Sequence, residues 1–377
     1  MVNKINSYVI KFSLSLSLLS VLTCFIANAQ LKQDTSKRVQ YLIVPVLYKT
    51  PETGFAIGIY GSISFKTSHK HDSLTRTSII QGIGFVTSHN QNVEAIDATI
   101  YFPKEKYILL TQISHSYFPD KFWGIGPNTK EDLDPKKKHG EHYVYEQIYV
   151  NPHIKKKIKK HVFIGLLYEF QNVFNIKYNI GERFDTSTFF GKQNYKVSGA
   201  GFSLGYDTRD LTFWPSKGVY IQTLVTGFRK EIASDYDLIK WITDLRWYKK
   251  IHKNQIFAMQ LYNYVTQGNT PLRELASLGG SNNMRGFYQG RYRDTDMFSL
   301  ISEYRTHIKG RISACAFAGV GNVYSTFKDL MHSYVKYSYG AGIRYALLTK
   351  EKLNIRVDYG YSSRNNKGLY FTVAECF

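Results

Sequence analysis

The sequence predicts an all-β fold, a transmembrane antiparallel β-barrel of about sixteen strands. Three observations carry that expectation. An apolar leader is followed by no comparable apolar stretch, the chain holds 30 Tyr, 24 Phe and 4 Trp in 377 residues, and long segments alternate apolar with polar residues. A chain that crosses lipid without an apolar helix of about 20 residues must do so with strands, of which only alternate residues face the acyl chains.

The leader occupies residues 1–29. Lys4 and Lys11 give a positive start, residues 12–26 are apolar, and Ala27-Asn28-Ala29 is a small-x-small cleavage site. These are the marks of a secretory signal peptide. The run is short for crossing about 30 Å of hydrocarbon. Thr23 before Cys24 fits a lipoprotein site poorly, so cleavage after Ala29 is expected. Residues 30–40 then form a short periplasmic segment, and residues 41–377 the barrel domain. Two cysteines remain, Cys315 and Cys376, too few for a disulfide framework and read as ordinary strand residues.

The formal net charge is +20, and a leader with two lysines and no acid leaves the mature chain strongly basic. No nucleic-acid recognition module is visible. In an outer membrane the acidic partners are lipid phosphates and lipopolysaccharide. Two basic runs stand out: residues 155–160 (KKKIKK) near the periplasmic rim, where anionic headgroups or a partner meet them, and residues 136–138 facing outward.

Four segments show the alternation best. Val335, Tyr337, Tyr339, Ala341, Ile343, Tyr345 and Leu347 form one face, against Lys336, Ser338, Gly340, Gly342 and Arg344. Leu353, Ile355, Val357, Tyr359 and Tyr361 interleave with Asn354, Arg356, Asp358 and Gly360. Ile239, Trp241, Leu245 and Trp247 oppose Lys240, Asp244 and Arg246, and Phe298, Leu300, Tyr304 and Ile308 oppose Ser299, Glu303, Arg305 and His307. Successive strand side chains point to opposite faces, so each segment has an apolar and a charged wall. The runs match the roughly 9–11 residues needed to cross at a tilt. With the first strand starting in the periplasm, connections after even strands are short (103–106, 251–255, 309–311). Those after odd strands are mostly longer (118–141, 176–194, 266–296), the asymmetry of outer-membrane barrels.

Met284-Arg285-Gly286-Phe287 falls in the long connection after the eleventh strand. This motif and its place resemble the sixth-loop signature of the BamA/TamA (bacterial surface antigen) superfamily, outer-membrane barrels that fold or move other proteins. The resemblance implies that the loop folds into the lumen and that Arg285 pairs with acids on the wall. A buried guanidinium needs such a partner. Glu303, on the luminal parity of the next strand, is the expected one. Where the family carries a phenylalanine-x-aspartate-x-glycine pattern on strand thirteen, this chain has Phe317, Gly319 and Gly321, so the acid is replaced by glycine and Glu303 carries more of the pairing. Asp207, Arg209, Asp210, Pro215 and Gly218 resemble the family's strand-turn-strand element in a periplasmic turn, and Pro and Gly there also set turn geometry.

The family also implies first and last strands that pair poorly and open sideways, with client strands added at the edge. Pro45, inside the first strand, gives the ladder no N–H and weakens that seam, or else it marks the strand start or a bulge. On the other side of the seam the terminal strand LYFTVAECF offers Phe371 and Phe377. No room is seen for periplasmic polypeptide-transport-associated domains before the barrel, so a barrel-only member is expected. Its implied role is insertion, assembly or translocation of outer-membrane proteins, with client proteins and accessory subunits as partners. The rival reading is a passive pore or structural subunit whose luminal charges only bind water.

Catalysis is not expected. There is no Gly-x-Ser-x-Gly elbow and no His-Glu-x-x-His pair. His139, Glu141 and His142 lie in a lysine-rich hydrated loop, and Asp132 with Asp134, or Asp294 with Asp296, are too sparse for a calcium loop. The glycines of residues 199–205 sit on a strand and make no phosphate cradle. No metal or cofactor is expected.

Overall fold

The computed structural model describes residues 39–68, 75–129, 140–211, 214–348, 353–373 and 375–377. The leader, residues 30–38, the lysines at 136–138, Asp132, Asp134 and His139 lie outside the described residues.

Strands follow one another as β1 (Val39–Thr50), β2 (Gly54–Phe65), β3 (Ser78–Thr87), β4 (Asn92–Tyr101), β5 (Tyr107–Phe122), β6 (Glu141–Lys159), β7 (Val162–Lys177), β8 (Tyr195–Asp207) and β9 (Gly218–Phe228). Next come β10 (Leu238–His252), β11 (Gln255–Gly268), the short β12 (Ala276–Leu278) and β13 (Tyr292–Asp294), then β14 (Asp296–Lys309), β15 (Ile312–Tyr324), β16 (Lys336–Leu348), β17 (Leu353–Ser362) and β18 (Asn366–Val373). All but β12 and β13 join, each beside its neighbour, into one closed antiparallel barrel of sixteen strands, as the alternation predicts. Two short helices, α1 (Arg183–Thr186) and α2 (Phe327–His332), sit in its connections. Among the described residues no helix is long and apolar enough to cross a membrane.

Closure gives every strand two neighbours, which lipid demands of backbone groups it cannot hydrate. The burial pattern inverts that of a water-soluble sheet. On β16, Tyr337, Tyr339, Ile343 and Tyr345 are exposed while Lys336, Ser338 and Arg344 are buried. The apolar wall faces outward and the charges fill the interior. β5, β6 and β7 are longer than the roughly 10 residues that cross a bilayer. They stand out at the end of the long connections and carry an aromatic cap there: Phe122, Tyr143, Tyr145, Phe184, Tyr195 and Phe228 pack together.

The long connections do lie after β5, β7 and β11, and turns of two residues follow β6, β10 and β14. The rule has exceptions at both ends. Residues 51–53, 88–91 and 363–365 are short connections at the long-loop end, and residues 66–77 and 208–217 long ones at the short-turn end.

Closure is uneven. β1 and β2 are in register from Val39↔Phe65 to Thr50↔Gly54, yet β1 meets β18 at one pair among the described residues, Lys49↔Phe371. β18 itself stays in register with β17 from Ser362↔Asn366 to Ile355↔Val373.

Candidate functional site: the loop inside the barrel

The connection between β11 and β14 (residues 269–295) folds into the lumen. Its stem is the two-stranded ribbon β12–β13, with Leu278 opposite Tyr292. Its tip needs glycine: Gly279, Gly280, Gly286 and Gly290 all have positive φ, as does Met284 at 48°. Met284, Phe287, Leu278 and Tyr292 are buried with Met297 and Ile301 of β14 and Val323 of β15. This apolar packing fixes the depth at which the next residue enters the network.

Arg285 is 1 % exposed. One nitrogen donates to Asp358 Oδ2 at 2.6 Å, another to Glu303, and the guanidinium lies 3.5 Å from the Phe317 ring centroid. Glu303 also accepts from Arg305 Nε at 2.8 Å. Asp358 also takes Arg344, which reaches Glu375 at 3.1 Å. Four buried guanidiniums thus share three carboxylates: Arg285, Arg305, Arg344 and Arg356 with Glu303, Asp358 and Glu375. In a medium that screens charge poorly, such groups are held only when each sign answers the other.

Asp358 changes the sequence-based assignment. Glu303 does not carry the arginine alone; β17 supplies the second carboxylate that β15 lacks. Gly319 has a steric role instead, since a Cβ there would sit 3.1 Å from Met284 Sδ. At Gly321 a Cβ would lie 2.7 Å from the Phe298 carbonyl oxygen and 3.1 Å from Leu278. The tip also rests on β17 glycine to glycine. A Cβ on Gly360 would approach the Arg285 carbonyl carbon to 2.8 Å, and one on Gly286 would approach that of Tyr361 equally closely.

Further anchors were not evident from the sequence. Tyr370 of β18 accepts from Gly286 N–H at 2.9 Å and donates to Phe287 O at 3.1 Å. Glu52, in the turn between β1 and β2, accepts from Gln289 N–H at 2.6 Å. Burial raises the Glu52 carboxyl, and that N–H opposes the rise. The loop is therefore bonded to β18 and to the turn that follows β1. Farther out, Asp120 of β5 accepts from Tyr288 at 3.1 Å and Arg293 at 3.1 Å, and Lys240 of β10 bridges Glu169 and, at 2.9 Å, Glu274 of the loop. The available signal was parity: Lys240, Asp358 and Tyr370 all lie on inward positions.

The remaining candidates disperse. Phe371 lies at the seam opposite Lys49, and Pro45 pairs with Ile59 on the other side of β1. Phe377 is not on the seam. The β18 ladder ends at Val373, and Phe377 is buried in the lumen. Its backbone oxygen accepts from Arg305 at 3.0 Å, and its ring packs near Tyr248. That bond engages Nη2 of buried Arg305, whose Nη1 has no hydrogen-bond partner. In the turn after β8, Asp207 chelates Arg209 through bonds of 2.9 Å, and Asp210 accepts from Ser216 N–H at 2.8 Å. Gly218 has φ of 112°, and a Cβ there would come within 2.5 Å of Thr208 O. Pro215 is buried beside Trp214, whose ring lies 5.3 Å from the Arg305 guanidinium. Through Trp214 this turn reaches the luminal ion network from the short-turn end. Among the described residues no His, Cys, Asp or Glu cluster is arranged to hold a metal.

Solved structures with this architecture include BamA from Haemophilus ducreyi lacking POTRA domains 1–3, at 12 % identity and a TM-score of 0.58 over 90 % of this chain and 70 % of that one. CdiB from Escherichia coli matches at 12 % identity and a TM-score of 0.59, over 92 % and 69 %. CdiB from Acinetobacter baumannii matches at 11 % identity and a TM-score of 0.55, over 90 % of this chain and 60 % of its own. These likenesses are of fold. No curated protein sequence matches the chain. The Omp85 superfamily domain, by contrast, matches residues 106–377, from β5 through the luminal loop to the last residue. A barrel of this family points to the bacterial outer membrane. With closed barrel, inward loop and family domain in agreement, the chain belongs to the Omp85 superfamily.

Proposed function

We propose that this barrel assists the insertion, assembly or translocation of outer-membrane proteins, working with client chains and accessory subunits. The observation that carries the reading is the seam. β1 meets β18 at Lys49↔Phe371 alone among the described residues, so most of one edge of β1 has no registered partner. An unpaired strand edge is a template for a further strand. A client segment added there gains main-chain hydrogen bonds without breaking a full ladder.

Pro45 supports the reading by removing one donor from β1. The loop supplies a control, because its tip binds Tyr370 on one side of the seam and Glu52 on the other. A passive pore fits less well, since the loop and its ion network occupy the lumen.

The test is reconstitution in liposomes, following the folding rate of an unrelated outer-membrane protein with the intact barrel and with Arg285→Ala. The expected result is acceleration that the substitution abolishes. Folding equally fast in empty liposomes would refute insertase activity of the barrel by itself. Steady ion conductance indifferent to the substitution would instead establish a pore.

A further inference from the structure

We propose that the short-turn rim of the barrel binds headgroups of anionic phospholipids through two outward-facing lysines, Lys156 on β6 and Lys249 on β10. The inference is independent of the insertase reading.

Strand parity places the two side chains. Ile154 and Ile158 flank Lys156 two positions away on each side and are 44 % and 47 % exposed. Trp247 and Ile251 flank Lys249 in the same way and are 42 % and 55 % exposed. Both lysines are exposed and sit on the apolar outer wall, close to the turns that follow β6 and β10. Aromatic residues mark the same depth. Tyr107 is the register partner of Lys156 and Phe257 that of Lys249, with the Trp247 and Phe257 rings 6.2 Å apart. An aromatic girdle of this kind marks where hydrocarbon gives way to headgroups. A lysine there lays its stem along apolar surface and sends its ammonium to the nearest anion.

Among the described residues the rim offers that ammonium little anionic competition of its own. Among the described residues, Glu105 is held by Arg76 at 2.7 Å, Asp207 by Arg209 at 2.9 Å, and Asp210 by Ser216 and neighbouring backbone. The turns add exposed Lys159, Lys160 and Lys253, which raise the local positive potential. An acidic soluble protein approaching end-on would meet those turn lysines. Lys156 and Lys249, set back among isoleucines, instead face the lipid side, which selects headgroups.

The experiment uses the full chain, folded in mixed micelles containing equimolar phosphatidylcholine and phosphatidylglycerol, with bound lipid read by native mass spectrometry. The proposal expects several-fold preferential retention of phosphatidylglycerol, falling as salt is raised. The pair Lys156→Gln/Lys249→Gln loses that preference, and the charge-keeping pair Lys156→Arg/Lys249→Arg keeps it. Folding of each variant is checked by its heat-dependent mobility in gels. Equal retention of the two lipids by the intact chain overturns the proposal. So does a preference abolished by Lys159→Gln/Lys160→Gln/Lys253→Gln but not by the outward pair, which would assign the rim to an end-on acidic partner. Loss of the preference on adding inorganic phosphate at constant ionic strength would show a free-phosphate site and overturn it as well.

Discussion

Arg285 donates to Asp358 across 2.6 Å, although 73 residues of sequence separate the two. The loop arginine is thereby held from β17 as well as from β14, and its two carboxylates stand on strands three places apart in the barrel wall.

Asp358→Asn leaves three buried guanidiniums short of a charge, since Arg285, Arg344 and Arg356 all face that carboxylate. Breaking a buried pair by removing one partner costs about 3–5 kcal/mol. Urea unfolding in detergent micelles should show a loss of that order, matched by Glu303→Gln. A loss below about 1 kcal/mol, the value of an exposed pair, would mean the carboxylate merely hydrates the lumen.

Gly319→Asp places an acid where the resemblance leads one to expect it, but the space is taken. The added Cβ would press on Met284 Sδ at 3.1 Å and Ile301 Cγ1 at 3.2 Å. Overpacking of this kind costs about 1–3 kcal/mol. The substitution should therefore lower the urea midpoint in the wild-type background. Combined with Asp358→Asn it should cost less than the sum, because the new carboxylate is two residues from Phe317 on the inward face, where the Arg285 guanidinium lies over the Phe317 ring.

Gly360→Ala drives a methyl group into the Arg285 carbonyl, 2.8 Å away. The tip can relieve that only by lifting off β17. Planar-bilayer recordings should then show a larger and noisier conductance than the wild type, with the barrel still folded. Unchanged conductance would show that the tip is not what closes the lumen.

Asp294, in the loop stem outside the spanning strands, has its carboxyl pushed up to about 6, first by burial and further by Asp329 and Asp296, against the Thr295 N–H. The folded protein therefore binds this proton more tightly than the unfolded chain. The contribution favours folding at low pH, is lost as pH rises from the ordinary value of 3.8 through about 6, and leaves a constant penalty above. Asp294→Asn should raise the melting temperature at neutral pH, with the advantage vanishing towards pH 4. An advantage independent of pH would sink this account.

Much of this was legible in the sequence because a barrel in lipid writes its two faces into alternate residues. Tyr337, Tyr339, Ile343 and Tyr345 outward, with Lys336, Ser338 and Arg344 inward, can be read from parity alone. Parity also singles out Glu303. It cannot show that Asp358 stands near Arg285, because that depends on strand stagger and on how deep the loop sinks, and neither is a local property. Phe377 misled for a related reason. Leu369, Phe371 and Val373 form a regular outward face, but the ladder stops at Val373, and residues 375–377 answer to Arg344, Asn282 and Arg305 instead. The cap around Phe184 was hidden because its buried members come from six strands, β5 to β10, and two connections.

The ion network also bears on the order in which the molecule is made and lost. Its members come from β14, β16, β17, the loop and the chain end, so although Glu303–Arg305 and Arg356–Asp358 each lie within one strand, the pairing of Arg285 with Asp358 and the network as a whole cannot mature until the last third of the barrel has closed. Contacts so distant in sequence form late. Once formed, they must be pulled apart without water to receive the charges, which burdens the unfolding barrier more than the folding one. The endurance of this barrel should accordingly be a matter of half-life: a molecule slow to come undone, whatever its equilibrium stability.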